Sequence, residues 1–586
     1  MIRIFKYFKK KEWVFAAICL VLVVVQVWLD LKLPDYMSEI TTLVQTDGSS
    51  MAEILAAGGA MLACALGSLV AAMAVGYFAA QIAAGLAMRL REMVYNKTLS
   101  FSMEEMNGFS TASLITRSTN DITQIQTLVA MGLQAVVKAP ILAVWAIAKI
   151  AGKNVSFTLT TGVAIVLLLV MLCVILFFAV PKSKMIQSLT DNLNLVTREH
   201  LTGIRVVRAY NAEAYQETKF EKANEELTAA NLFVNQITAI ISPSMTFISS
   251  GLTLAIYWIG SYLINQSAQQ GKLTLFSDMV VFSAYAMQVI MAFMMLTMIF
   301  IMLPRSVVSA KRILEVLDTK EKITDGTVTQ TDGEQSGEIV FDNVSFHYPG
   351  AAESVLNQIS FTIHTGETAA FIGSTGSGKS TLINLIPRFY DCTEGEVRID
   401  GINVKDYTQA ALRNKIGYIS QKAVLFSGTI RSNIAYGDNG RNDQTQEDIT
   451  RAVSLAQAED FVEQYGLESA VSQGGTNLSG GQKQRLSIAR AIYRQPEILV
   501  FDDSFSALDY KTDKVLRSEL AEHTQDVTKL IVAQRIGTIK DVDKIIVLDE
   551  GKIAGMGTHS ELLQTCTVYK EIALSQLTKE ELAYES

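Results

Sequence analysis

Residues 371–382 read "FIGSTGSGKSTL" and hold what a phosphate-binding loop needs. Gly373, Gly376 and Gly378 let the backbone N–H groups around Ser374, Thr375 and Ser377 converge on phosphate oxygens at a helix N-terminus. Lys379 adds a point charge for the terminal phosphates, the Ser380 hydroxyl suits Mg²⁺, and Thr381 continues the helix start. The apolar run Thr368–Ile372 before the loop reads as a strand, and Leu382, Ile383 and Leu385 after it read as a helix. Further along, "ILVFDDSFSALD" (498–509) runs four apolar residues into Asp502 and Asp503. A buried strand ending in a carboxylate delivers a metal ligand to a nucleotide site, and Asp502 fits that role. Asp503 stands where a nucleotide hydrolase places a longer glutamate. The chain therefore has the residues to bind a nucleoside triphosphate with Mg²⁺, and its capacity to cleave one is in question.

The elements that must carry these residues fall in two unlike halves. The 586 residues are 49% hydrophobic and only 18% charged, too apolar for an ordinary soluble protein of several domains. Six apolar stretches, at 13–33, 54–82, 128–151, 155–180, 237–264 and 276–303, each approach the roughly 20 residues that cross a bilayer. The first follows the basic "MIRIFKYFKKKEW" but is too long for a signal peptide and has no small-residue cleavage site. Basic residues precede span one, and none lies between Lys32 and Arg89. The N-terminus is therefore expected in the cytoplasm of a multi-pass plasma-membrane protein. The polar insertions 83–125 and 182–235 then fall on the same side. Residues 1–318 are read as the membrane domain, 319–337 as a linker, and 338–586 as an α/β nucleotide-binding domain. The five cysteines are scattered without metal spacing. No nucleic-acid partner is expected.

The stretch "NLSGGQKQRLSIARAI" (477–492), with the phosphate loop, resembles the signature of ABC transporter ATPases. Six spans followed by one such domain resemble a bacterial ABC exporter half-transporter. The resemblance implies a head-to-tail dimer in which Leu478, Ser479, Gly480, Gly481 and Gln482 close the other chain's ATP, with Asp509 lying across the interface. It also implies that Tyr348, in "VSFHYPG", stacks on adenine, although a core tyrosine is the plainer reading. Gln421, in "IGYISQKAVLF", matches the glutamine that touches Mg²⁺ and senses the membrane domain. "GMGTHSELL" (555–563) also has the family's look. The segments Phe109–Arg117 and Ala209–Tyr215 resemble coupling helices that dock on nucleotide domains, or are plain amphipathic helices.

Two positions depart from the family pattern. Asp503 replaces the hydrolytic glutamate, which withdraws the carboxylate by about 1.5 Å. A general base must lie about 2.6–3.2 Å from its water, so Asp503 should be a poor one. Gln534, in "IVAQRIGTI", replaces the switch histidine, and an amide has no proton to exchange near neutral pH. None of His200, His347, His364, His523 and His559 can substitute by sequence position. Near Gln473 the family often carries an acid. With binding residues and signature intact, the chain resembles the degenerate-site half of a heterodimeric exporter. Its expected partner is a second, different half-transporter carrying the competent Glu and His.

Seven methionines (Met279, Met287, Met291, Met294, Met295, Met298 and Met302) crowd span six. They suit a cavity for varied apolar cargo, or simply bundle packing or lipid contact. Lys138 and Lys149 in span three face either a polar cavity or the interfaces. Export of hydrophobic or amphipathic compounds is the expected function, with lipid or peptide export as alternatives. A regulatory ATP sensor that moves nothing is the rival of another class.

Overall fold

The computed structural model describes residues 2–46, 49–151, 155–266, 269–330, 336–351, 353–437 and 445–576. They form two compact units: Met1–Leu99 with Thr111–Thr319, and Ser100–Ser110 with Lys320–Ser586.

Among the described residues, six helices of the first unit are long and apolar enough to cross a membrane. They exceed the apolar stretches themselves. Helix Met51–Leu99 has 49 residues, roughly 70 Å at 1.5 Å per residue, against about 30 Å of hydrocarbon. Its charged end, with Arg89, Arg91 and Lys97, therefore continues beyond the bilayer as uninterrupted helix. Lys138 and Lys149 are each paired with an aspartate of the first helix: Lys138 Nζ lies 3.0 Å from Asp30, and Lys149 Nζ 2.8 Å from Asp35. The fully buried Tyr285 donates to Asp35 at 2.6 Å. Charges inside a membrane segment are tolerated when paired, which explains how one span carries two lysines.

The span-six methionines divide by helical face. Met279 is buried, whereas Met287, Met291, Met294 and Met298 are the four exposed side chains between Val281 and Ile299. Between helices Ile204–Ala209 and Glu213–Ala239 the chain turns through Asn211, at φ +51°. Tyr210 and Tyr215, within the second expected docking segment, are exposed beside that turn.

The second unit is built on a six-stranded sheet in the order 552–557, 544–549, 368–373, 528–532, 498–502 and 416–419. All but the first of these strands run parallel. Alternate residues serve opposite faces: Ala370, Ile372, Leu499 and Phe501 enter one core, while Phe371, Ile498 and Val500 enter the other. Burial on both faces is why these strands read as unbroken apolar runs. A four-stranded antiparallel sheet, centred on Ile339–Phe346 paired with Leu356–Ile363 and Glu394–Ile399, packs on the second core.

Ser100–Ser110 belongs to the nucleotide unit although its neighbours in sequence do not. Its short helix is Met103–Gly108, earlier than the docking segment expected at Phe109–Arg117. Residues Thr111–Ser118 form a helix of the membrane unit instead. The local cause is a capping box in "SMEE": Ser102 Oγ accepts from the Glu104 N–H at 3.2 Å, and Glu105 accepts from the Ser102 N–H at 2.7 Å.

Candidate nucleotide site

Four neighbouring parallel strands end at one edge, and each delivers a candidate group just past its last residue. Thr368–Gly373 opens into the phosphate loop. Thr528–Val532 is followed by Gln534, Ile498–Asp502 by Asp503, and Ile416–Ile419 by Gln421. The carboxyl ends of parallel strands are where open α/β sheets bind ligands.

In the loop, Gly376 and Gly378 have φ of +88° and +98°, conformations that favour glycine. A Cβ at Gly373 would sit 2.0 Å from the Leu548 carbonyl oxygen, so only glycine fits beside the neighbouring strand. Lys379 folds back over the loop and donates to the carbonyls of Gly373 at 2.9 Å and Ser374 at 2.8 Å. Burial holds its ammonium below the usual lysine range. Ser377 is buried within the loop.

Ser380 Oγ donates to Asp502 Oδ1 at 2.9 Å, which joins the two expected metal ligands. Tyr418 donates to the other Asp502 oxygen at 3.3 Å, a partner that sequence reasoning missed. A hydroxyl beside a single carboxylate fits Mg²⁺, which keeps most of its waters and takes one or two protein oxygens. Burial pushes the Asp502 carboxyl above the ordinary aspartate range, and the nearby Asp503 charge adds to this. Hydrogen bonds from Ser380 and Tyr418 oppose the shift. A raised pKa means that the proton returns at a higher pH than usual. Mg²⁺-dependent ATP affinity is therefore expected to fall on acidification, beginning above the ordinary carboxylate range. Titration calorimetry across mildly acidic pH, with Asp502→Asn as a control that flattens the profile, checks this.

Asp503 lies at φ +49°, in the left-handed region. Its Oδ2 accepts two amide N–H groups: Gln534 Nε2 at 2.8 Å and Gln421 Nε2 at 3.1 Å. The two departures from the family pattern are thus bonded to each other. Gln421 is turned to Asp503 and not to the Ser380–Asp502 pair. A carboxylate oxygen already accepting from two amides has little lone-pair capacity left to meet an attacking water.

Tyr348 is half-buried, edge-on to Phe346 and Tyr390 at centroid distances of 5.0 and 5.4 Å, with its hydroxyl 3.0 Å from Thr381 Oγ1. The remaining candidates stand apart from the loop. Ser479 caps helix Gly480–Tyr493 reciprocally with Gln482: its Oγ accepts from the Gln482 N–H at 3.3 Å, and Gln482 Oε1 accepts from the Ser479 N–H at 2.9 Å. Leu478 is buried, and a Cβ at Gly480 would meet nothing within 4 Å. At Gly481 the nearest atom would be the Ala507 carbonyl oxygen at 3.6 Å. Asp509 caps helix Tyr510–His523 by accepting from the Thr512 N–H at 3.0 Å, which holds its carboxyl below the usual range. That cap was not anticipated, although Asp followed by a helical pattern is its ordinary signal.

The family model for the ABC transporter transmembrane region matches residues 16–321, and that for the ABC transporter domain matches 356–506. An uncharacterised ABC transporter ATP-binding protein of Mycobacterium tuberculosis is 39% identical over 527 residues, covering 90% of this chain and 88% of that protein. The Bacillus subtilis ABC transporter ATP-binding protein YfiB is 34% identical over 579 residues, 98% of each chain. An ATP-dependent lipid A-core flippase of Pseudomonas fluorescens is 33% identical over 489 residues, 83% of this chain and 80% of that one. A solved bacterial Atm1-family ABC exporter with ATP bound superposes with a TM-score of 0.80 at 24% identity, over 97% of this chain and 100% of that chain. Six membrane helices joined to a nucleotide-binding domain, matched along nearly the whole chain, make this protein an ABC transporter, with the fold of that solved exporter.

Proposed function

We propose that this chain is the degenerate-site subunit of a heterodimeric exporter that moves hydrophobic or amphipathic compounds out of the cytoplasm. The observation that carries this reading is the Asp503 carboxylate held by Gln534 and Gln421, in a chain whose signature helix is fully capped. Tyr348, the loop from Gly373 to Thr381, and Mg²⁺ on Ser380 and Asp502 with Gln421 nearby hold ATP. Slow hydrolysis follows from the short, doubly engaged base and the missing histidine. Leu478 to Gln482, with Asp509, complete a competent site on a different half-transporter. The N-terminus and the nucleotide domain face the cytoplasm, as the basic flank of span one requires.

A lipid is the second reading of the cargo, favoured by relatives named as lipid A-core flippases. Inside-out vesicles carrying this chain and its co-purifying half-transporter test both. ATP-dependent uptake of a fluorescent amphipathic cation is expected for a broad exporter. Movement of a short-chain fluorescent lipid without dye uptake would assign lipid instead. Neither, with ATP bound, would contradict both cargo readings and leave peptide export or the non-transporting sensor.

A further inference from the structure

We propose that Gln576, on helix Thr567–Gln576, is a positioning residue that sets where the side chain at position 534 stands over the nucleotide. The proposal rests on the family-based reading that residue 534 faces the γ-phosphate. Helix Thr567–Gln576 packs by one face. Tyr569 and Ala573 lie in the core that also takes Ile536 and Ile539, and Ile572 packs against it. Gln576 completes the i, i+3, i+4, i+7 spacing of that face, where one more apolar residue would continue the stripe. Its amide has two partners instead. Gln576 Oε1 accepts from the Ile536 N–H at 2.9 Å, and Gln576 Nε2 donates to the Gln534 carbonyl at 2.7 Å.

These two peptide groups flank Arg535. The Ile536 N–H opens the short helix Ile536–Ile539, so that helix offers it no acceptor. On the other side, the Ala533 N–H donates to the Phe371 carbonyl at 3.1 Å. Further on, Ile536 is buried and Arg517 donates to the Thr538 carbonyl at 3.1 Å. Those contacts hold the ends of the stretch, whereas Gln576 holds the peptide carbonyl of residue 534 itself. From that backbone the Gln534 side chain reaches Asp503 Oδ2 at 2.8 Å. The clamping helix is tied down nearer its start, with the Tyr569 hydroxyl 2.6 Å from His559 Nδ1. Without the clamp, the 534–535 peptide can turn while its neighbours stay fixed, and the side chain swings away from a γ-phosphate. Contacts to the base and the inner phosphates are untouched, so ATP loses affinity and ADP does not. Gln576 is exposed, and water competes for both bonds. The expected effect is therefore about fivefold, that of one or two neutral hydrogen bonds.

Photolabelling of the full-length chain with its co-purifying partner, on ice with Mg²⁺, tests the clamp. Radiolabelled 8-azido-ATP is displaced by ATP or by ADP, the subunits are separated, and the label on this chain is counted. Gln534→Ala calibrates the measurement: it should lower the preference for ATP over ADP, since only ATP carries a γ-phosphate. Gln576→Met keeps the apolar stem and continues the buried stripe, so the melting temperature should not fall. It should nevertheless lower the ATP preference about fivefold, with displacement by ADP unchanged. A wild-type preference in Gln576→Met, where Gln534→Ala lowers it, overturns the clamp. Parallel losses of ATP affinity, ADP affinity and melting temperature also overturn it, because packing alone would produce them. An unchanged preference in Gln534→Ala would instead remove the γ-phosphate reading, and the proposal with it.

Discussion

Gly480→Asp is expected to cut the ATPase rate of the assembled transporter about a hundredfold or more, while Asp503→Asn changes it by less than tenfold. A side chain at Gly480 meets nothing within 4 Å and the residue is already helical, so the substitution leaves the fold in place. What changes is the charge at a helix N-terminus that, on the proposed reading, accepts the other chain's phosphate. Two like charges about 4 Å apart at a protein surface repel by about 4 kcal/mol, and each 1.4 kcal/mol is about tenfold in rate. Asp503→Asn removes a carboxylate whose Oδ2 is already occupied by two amides, so little hydrolysis is there to lose. The measurement is ATPase activity of the two mutant complexes at saturating ATP, after checking assembly. Loss of turnover in Asp503→Asn with survival of Gly480→Asp would give the working catalytic site to this chain.

The second large effect is a gain. In the Gly480→Asp background, Asp503→Glu with Gln534→His should raise turnover about a hundredfold. The added methylene returns the carboxylate toward the attacking water, where a 1 Å error costs about that factor. The histidine restores a group able to carry charge beside the γ-phosphate. Gln534 Nε2 lies 2.8 Å from Asp503, so the two substitutions should be strongly non-additive and each alone should recover little. Steady-state ATPase of the four combinations measures this. No gain in the double variant would mean that something else limits this site.

Much of the site was legible because its groups sit at fixed offsets from strand ends. Gly373 closes one strand, Asp502 another, and Gln421 and Gln534 each follow a third and fourth by two residues. Local apolar runs mark those strands, and the register between them needs no reading, since parallel neighbours align their carboxyl ends. What stayed hidden depends on contacts across the fold. Tyr418 reaches Asp502 only because strand Ile416–Ile419 lies next to Ile498–Asp502. Gln576 and Gln534 are far apart in sequence, and nothing local to either announces the other. The family resemblance pointed to Phe109–Arg117 as a docking segment, whereas the short helix grouped with the nucleotide unit is Met103–Gly108, marked locally by the capping box in "SMEE" just before it. The two lysines of span three were left open because their partners, Asp30 and Asp35, lie on another helix.

The central claim, that this chain holds ATP without promptly cleaving it while its signature serves another chain, is tested most directly by labelling each subunit separately. The assembled transporter is loaded with 8-azido-ATP carrying the label at either the α- or the γ-phosphate, allowed to turn over, and photocrosslinked. The account predicts that this chain retains γ-label in step with α-label, while the partner retains α-label and loses γ-label. Loss of γ-label from this chain as fast as from its partner would contradict it.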